Sequence, residues 1–368
     1  MPETLTMNLG VSDGIRQLLK SLLEKGKVEA VMTLVKVNGG GVSYSLVRDP
    51  AMLEEAEPFY PWMPANAGRQ LSRLTLLAPL SRPVAAVLRP CELRAFVELV
   101  KLEQAQRENL LLISSTCGGV YPIDTLNDEN VDNRPSAYQQ ALKTGENLPD
   151  GRDSCRACIH FLPYNADLTV KLVGSPELDG KCTVFVKTEF GRGFLEDVEG
   201  EWGTGEVESE ATAKLGTERI AERQRQQEEL KLGSLGLEGL IGFFGRCIAC
   251  RNCREVCPIC YCKLCDFDSV KNENEPLWFQ LELESRNGIR VPPGTVLRHL
   301  GRMVHMSASC VGCGMCSDVC PVDIPIAGIF SGVGDETQRL FDYVPGKDEE
   351  QEPPQAKAEI KELEELAV

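Results

Sequence analysis

Histidine is scarce in this chain of 368 residues, occurring only as His160, His299 and His305. A His-rich zinc or copper site is therefore not expected, and imidazole for acid–base catalysis is in short supply. No apolar run approaches the roughly 18 residues that a transmembrane helix needs. The opening MPETLTMNLGVSDG has no basic segment leading into an apolar stretch, so no secretory signal is expected. Positive charge is outnumbered, with 39 Lys and Arg against 55 Asp and Glu and a net charge of -16. That balance excludes a nucleic-acid binder, whose phosphate contacts need a basic surface, and argues against docking on anionic lipid. Also missing are a P-loop, an HExxH pair, a Ser–His–Asp pattern and a zinc-deaminase signature, so hydrolase and kinase chemistry find no support.

What the chain does have is 16 cysteines, most of them in tight CxxC clusters. In a long chain that usage predicts metal-bound thiolates in a reduced, cytoplasmic setting rather than a disulfide framework. At roughly 150 residues per domain the length predicts two or three domains. Hydrophobic residues at 42% and charged residues at 26% are ordinary for a globular protein with ample core.

The first part reads as α/β. Residues 14–25 have helical periodicity and stop at Gly26, and VEAVMTLVKV and GVSYSLV read as a hairpin turning at residues 38–41. PVAAVL, the amphipathic stretch 91–106 and NLLLISSTC form a strand–helix–strand unit, which predicts a mainly parallel sheet with ligands at the carboxyl ends of its strands. Cys91 and Cys117 then share one rim. Residues 124–153 read as a polar surface loop, KCTVFVKT as a strand, and 200–232 as a solvated linking helix. The predicted organisation is an α/β domain over 1–200, a helical linker over 201–238, a mainly α-helical ferredoxin-like domain over 239–345 and an acidic, mobile tail over 346–368.

Two motifs carry the chemistry. Cys247-x2-Cys250-x2-Cys253-x3-Cys257-Pro258 has the spacing of a 4Fe–4S site, and Cys310-x2-Cys313-x2-Cys316-x3-Cys320-Pro321 repeats it. In such a pair the fourth cysteine of each motif ligates the other cluster. Cys247, Cys250, Cys253 and Cys320 should thus hold one cluster, and Cys310, Cys313, Cys316 and Cys257 the second. Structural zinc is the competing reading. The helical stretch between the motifs contains His299 and His305, which read as packed or surface residues. Its length makes the domain resemble the α-helical ferredoxin module of heterodisulfide reductase and succinate dehydrogenase iron–sulfur subunits.

In the first domain Cys91, Cys117 and the Cys155–Cys158 pair converge by topology on one rim, as candidates for a third cluster. Cys182 reads as a packed strand residue. Cys260, Cys262 and Cys265 are either free thiols or a further metal site.

Three stretches of the first domain, Arg89-Pro90-Cys91-Glu92-Leu93-Arg94-Ala95, Thr116-Cys117-Gly118-Gly119-Val120-Tyr121-Pro122 and Cys155-Arg156-Ala157-Cys158, with Lys187-Thr188-Glu189-Phe190-Gly191 after them, resemble the coenzyme F-420 hydrogenase and dehydrogenase beta-subunit family, formate dehydrogenase beta subunits included. The resemblance spans roughly residues 8–200. Pro90-Cys91-Glu92 stands where family members often have Pro-Cys-Gln. The resemblance implies an FAD beside a 4Fe–4S cluster, exchanging hydride with the deazaflavin coenzyme. Arg89, Arg94, Lys187, Thr188, Gly191 and Arg192 are the candidate FAD contacts. The expected function is an iron–sulfur flavoprotein subunit, moving electrons between a hydride donor or acceptor and a heterodisulfide-reductase-like, formate dehydrogenase or hydrogenase complex. The alternative is a flavin-free iron–sulfur relay subunit.

Overall fold

The computed structural model describes residues 1–37, 41–175, 178–234, 236–265, 267, 276–289 and 291–354. Eight strands form one sheet: β1 Glu3–Met7, β2 Ala30–Lys36, β3 Val42–Val47, β4 Val84–Val87, β5 Leu110–Ser115, β6 Leu168–Val170, β7 Cys182–Val186 and β8 Glu201–Thr204. Their order is β3-β2-β4-β5-β6-β7-β1-β8. The centre, β2-β4-β5-β6, is parallel as the strand–helix–strand unit predicts. Both flanks are antiparallel: β3 on β2, and β7, β1 and β8 on the far side. The sheet is therefore mixed rather than mainly parallel. The short connections explain this: no helical crossover separates β2 from β3 or β6 from β7, and a parallel pair needs one. The expected turn residues 38–40 lie outside the described ones.

Successive residues of the central strands face opposite cores. Ala85, Val87, Leu111 and Ile113 pack with the Ile15, Leu18 and Leu22 face of helix Val11–Glu24. Val84, Ala86, Leu88, Leu110 and Leu112 pack with Leu71, Leu93, Phe96 and Val97, from helices Ala67–Thr75 and Pro90–Lys101. This period-2 alternation of continuous apolar runs marks strands buried on both faces.

Three segments differ from expectation. The polar stretch holds a helix, Asp128–Thr144, capped by the Asn127 side chain and ended by left-handed Gly145. Tyr138, Ala141 and Leu142 are its buried face. The stretch read as a linker contributes β8 to the sheet before forming helix Glu210–Leu230, whose Leu215 and Arg219 are buried. The tail is not free up to residue 354: Asn165 donates to the carbonyls of Gly346 and Lys347, and Arg107 pairs with Glu349. Residues 355–368, the rest of that segment, lie outside the described ones.

The second domain is helical, with Pro276–Arg286, Thr295–Met306 and Ile326–Leu340 as its longer described helices. It sits against the cysteine-bearing rim of the sheet. Arg152 donates to the Cys313 carbonyl at 3.0 Å and makes a buried pair with Asp318 at 2.5 Å. Arg94 donates to the Val311 carbonyl at 3.2 Å, and Arg69 to the Cys257 carbonyl at 3.2 Å. Among the described residues no helix is long and apolar enough to cross a membrane.

Candidate iron–sulfur centres

Cys247, Cys250, Cys253 and Cys320 line one cavity, together with His299, Arg298, Ile248 and Pro321. Cys257, Cys310, Cys313 and Cys316 line a second, with Arg302, Met306 and Phe330. These are the two sets that the motif spacing predicts, each motif lending its fourth cysteine to the other. The two loops share a backbone. Ala249 and Arg251 in the first have φ of 56° and 66°, and Gly312 and Gly314 at the corresponding positions have 68° and 81°. Left-handed backbone at a non-glycine costs about 1–2 kcal/mol, so a loop that holds it twice is shaped by what it encloses.

The third set is assembled as well. Cys91 starts helix Pro90–Lys101 after β4, Cys117 follows β5, and Cys155 lies in the single turn Asp153–Arg156, with Cys158 just beyond it. Cys91 is within electrostatic reach of Cys117 and Cys155, and Cys155 of Cys117 and Cys158. Gly119 has φ of 102°, and a Cβ there would stand 3.1 Å from the Cys155 Cβ. Only glycine combines that dihedral with that closeness.

A common hydrogen bond links the three sets. In each set the amide two residues after one cysteine turns back onto its sulfur: Gly119 N to Cys117 Sγ at 3.4 Å, Ala249 N to Cys247 Sγ at 3.4 Å, and the Gly312 amide to Cys310. Ile324 N donates to Cys320 Sγ at 3.4 Å. Gly119, Ala249 and Gly312 all have positive φ. N–H groups aimed at thiolates are the protein's means of holding and tuning such a cluster.

The charge environment matches this donor set. Burial pushes the Cys155 thiol up to about 11 against the opposing effect of Arg152, and pushes Cys310 up to about 11. Thiols held neutral by burial are what iron converts to thiolate on binding. Around the first-domain set Arg89 and Arg219 are each almost fully buried, and Arg89 Nε and Arg219 Nη2 have no hydrogen-bond partner. Buried cations with unmet donors are costly, and an anionic cluster beside them meets that demand. The residues therefore fit three 4Fe–4S groups. The sequence reading missed Arg219, because a Gln- and Glu-rich helix gives no sign of which residue turns inward.

The remaining cysteines behave differently. Cys182 is fully buried in β7 against Gly14, and its thiol is pushed up to about 12 by burial. Cys260 lies 3.1 Å from the Met306 sulfur. Among the described residues no three His, Cys, Asp or Glu side chains lie close enough to chelate one metal ion. Thiolates around a cubane stand farther apart than that; Cys260, Cys262 and Cys265 border one cavity together with Arg254, Arg302 and His305.

The six candidate FAD contacts are not brought together. The Arg89 backbone amide donates to the Glu92 carboxylate at the start of its helix, and its guanidinium donates to the Tyr60 carbonyl. Arg94 spends its donors on the Pro345 and Val311 carbonyls. Lys187, Thr188, Gly191 and Arg192 follow β7, whose antiparallel course carries them to the amino end of β6, away from the rim with Cys117. There Thr188 caps its own helix through the Gly191 amide and bonds Asp167 at 2.7 Å, and Arg192 pairs with Glu3. Arg94 alone borders a large crevice of about 750 Å³ between the domains, whose walls include Arg152, Arg223, His160, Cys158 and Cys310.

His299 is packed as expected, with its Nε2 3.3 Å from Cys247 Sγ, and Arg302 Nη1 lies 3.0 Å from Cys253 Sγ.

A 4Fe–4S binding domain model matches residues 303–326. The F420-dependent formate dehydrogenase subunit beta of Methanocaldococcus jannaschii is 26% identical over 365 residues, covering 91% of each chain. The F420-dependent formate dehydrogenase 1 subunit beta of Methanococcus maripaludis is 28% identical over 382 residues, covering 92% of each. A chain of the solved F420-reducing [NiFe] hydrogenase complex from Methanosarcina barkeri superposes with a TM-score of 0.45 at 16% identity, covering 64% of this chain and 93% of its own. Along nearly its whole length the chain is thus a relative of F420-dependent formate dehydrogenase beta subunits, and it is an iron–sulfur electron-transfer subunit of the oxidoreductase class.

Proposed function

We propose that the chain holds three 4Fe–4S clusters in series and passes electrons between a hydride-handling site at the first domain and a partner subunit at the second. Bound clusters would supply one-electron steps, and an FAD would convert a hydride pair into single electrons. The turn-back amide found at Cys117 as at Cys247 and Cys310 is the observation that supports the reading, because it gives the first-domain set a sulfur–amide bond like those of the two ferredoxin-type sets. The residues also supply an order. Cys91 of the first set is within electrostatic reach of Cys313 of the middle set, and Cys316 of the middle set of Cys253 of the outer set. Cys250 of the outer set is exposed. Neighbouring sets thus lie within electrostatic reach of one another through their own ligands, which suits sequential electron hopping.

The six residues expected to bind FAD do not form one site. The flavin proposal rests on the resemblance and on the interdomain crevice, whose size is that of a cofactor pocket and which passes Cys158 of the first set. The finer identity of the partners, whether formate dehydrogenase, hydrogenase or heterodisulfide-reductase-like subunits, is part of the same proposal, as is use of the deazaflavin coenzyme. Chromatography of flavin released from anaerobically purified protein tests it. About one FAD per chain is expected. None, in a brown and iron-replete protein, would leave a flavin-free relay subunit whose substrate chemistry lies on a partner.

A further inference from the structure

Helix Thr295–Met306 carries His299 and Arg302 three residues apart, hence on one face. His299 is only 1% exposed, and its ring lies flat on Phe244, with centroids 4.3 Å apart and planes within 9°. That stack aims Nε2 at Cys247 Sγ, 3.3 Å away. The other ring nitrogen, Nδ1, is buried without a partner. An orphaned buried N–H is rarer than an orphaned acceptor, so the proton belongs on Nε2, pointing at sulfur. Arg302 is held as firmly. Its Nη1 donates to Cys253 Sγ at 3.0 Å, its Nη2 to the Cys253 carbonyl at 3.2 Å, and its guanidinium lies 5.1 Å from the Phe330 ring centroid.

We propose that His299 and Arg302 are positioning residues that set the reduction potential at Cys247, Cys250, Cys253 and Cys320, raising it so that electrons collect at this exposed end of the chain. The inference rests on the relay reading above. Taking up one electron adds one negative charge and moves no proton, so His299 keeps its Nε2 hydrogen throughout. Donors fixed on the ligand sulfurs stabilise the more negative state over the less negative one, and burial magnifies the difference. In the middle set, Cys310 and Cys313 accept from the backbone amides of Gly312 and Met315, Cys313 also from the Asn66 side chain, and the charges of Arg94 and Arg152 act on them without a hydrogen bond to sulfur. The outer set has the equivalent amide at Ala249, with an imidazole and a guanidinium added to it. The outer set should therefore be the one whose potential His299 and Arg302 raise most.

The test is a potentiometric titration followed by electron paramagnetic resonance, on the full chain purified anaerobically and assayed for iron. His299→Phe keeps a ring on Phe244 and removes the donor, and Arg302→Met removes the second. His299→Phe should lower one ferredoxin-type potential while leaving the other signals and the iron content as in the wild type; Arg302→Met, whose guanidinium also borders the middle set's cavity, should lower that same potential more than the other, again at wild-type iron. His299→Gln, which restores an N–H, should recover part of the drop. Unchanged potentials in both donor-less variants at full iron would overturn the proposal. Loss of the outer set's iron in both would assign a structural role instead, and would overturn it too. If only one variant keeps its iron, that variant decides. A wild-type chain with neither ferredoxin-type signal would sink the relay reading itself, a result distinct from either of these.

Discussion

Glu98 fastens the last described segment of the chain to the helix that carries Cys91 and Arg94. Its side chain is fully buried. The carboxylate accepts from Tyr343 Oη at 2.6 Å on both oxygens and from the Gly346 amide at 2.9 Å, and it pairs with Lys101 Nζ at 3.2 Å. Lys101 also lies over the Tyr343 ring at 4.4 Å. A hydrogen bond to a charged group contributes about 1.5–3 kcal/mol, but the bonds here share one carboxylate and do not add. Removing one partner of a buried, bonded pair costs about 3–5 kcal/mol, which is the scale for Glu98→Ala. At about 1.4 kcal/mol per tenfold, opening of residues 341–354 should become about 10²–10³·⁵ times more frequent. Hydrogen exchange read by mass spectrometry on peptides covering that segment gives this factor directly. Glu98→Gln keeps an acceptor and loses the charge, so its effect should be smaller by about tenfold or more. Protection within about threefold of wild type in Glu98→Ala would refute the reasoning.

Two further outcomes follow from the packing and the ligand sets. Cys320→Ser and Cys247→Ser should abolish the same paramagnetic signal although the residues belong to different motifs, whereas Cys310→Ser should abolish the other; loss of the same signal in Cys320→Ser and Cys310→Ser would contradict the exchange of fourth ligands. Gly68→Ala would place a Cβ 2.2 Å from the Glu92 carbonyl oxygen and 2.8 Å from Phe96 N, so helices Ala67–Thr75 and Pro90–Lys101 must part; overpacking of this kind costs about 1–3 kcal/mol, and an unchanged thermal midpoint would show that the helices are not held that close.

The ligand sets were legible because cluster chemistry writes itself into local spacing. Three cysteines wrap one loop, and a fourth before proline turns away, so the residue numbers alone group Cys320 with Cys247. The first-domain set was legible less directly, through topology: a parallel β4–β5 pair must put Cys91 and Cys117 on one rim. What escaped depends on contacts between distant residues. The course of β7 is set by its pairing with β6 and β1, not by its own sequence, and that course separates Lys187 and Arg192 from Arg89. Helix Asp128–Thr144 was hidden by its polar composition and by Pro135, and its buried face is supplied by Tyr138, Ala141 and Leu142. His299 and Arg302 lie 52 and 49 residues from the cysteines whose sulfurs they meet, which no local pattern reports. Arg219 is inside only because Phe161 and Asn147 receive it.

The central claim is that three sets of four cysteines hold three clusters. Iron and acid-labile sulfide, measured together on the anaerobic wild-type chain and on Cys155→Ser, test it most directly. The account predicts about twelve irons per chain, falling to about eight in the variant with both ferredoxin-type signals retained. About eight irons in the wild type, unchanged in Cys155→Ser, would remove the first-domain cluster and with it the series that joins the two domains.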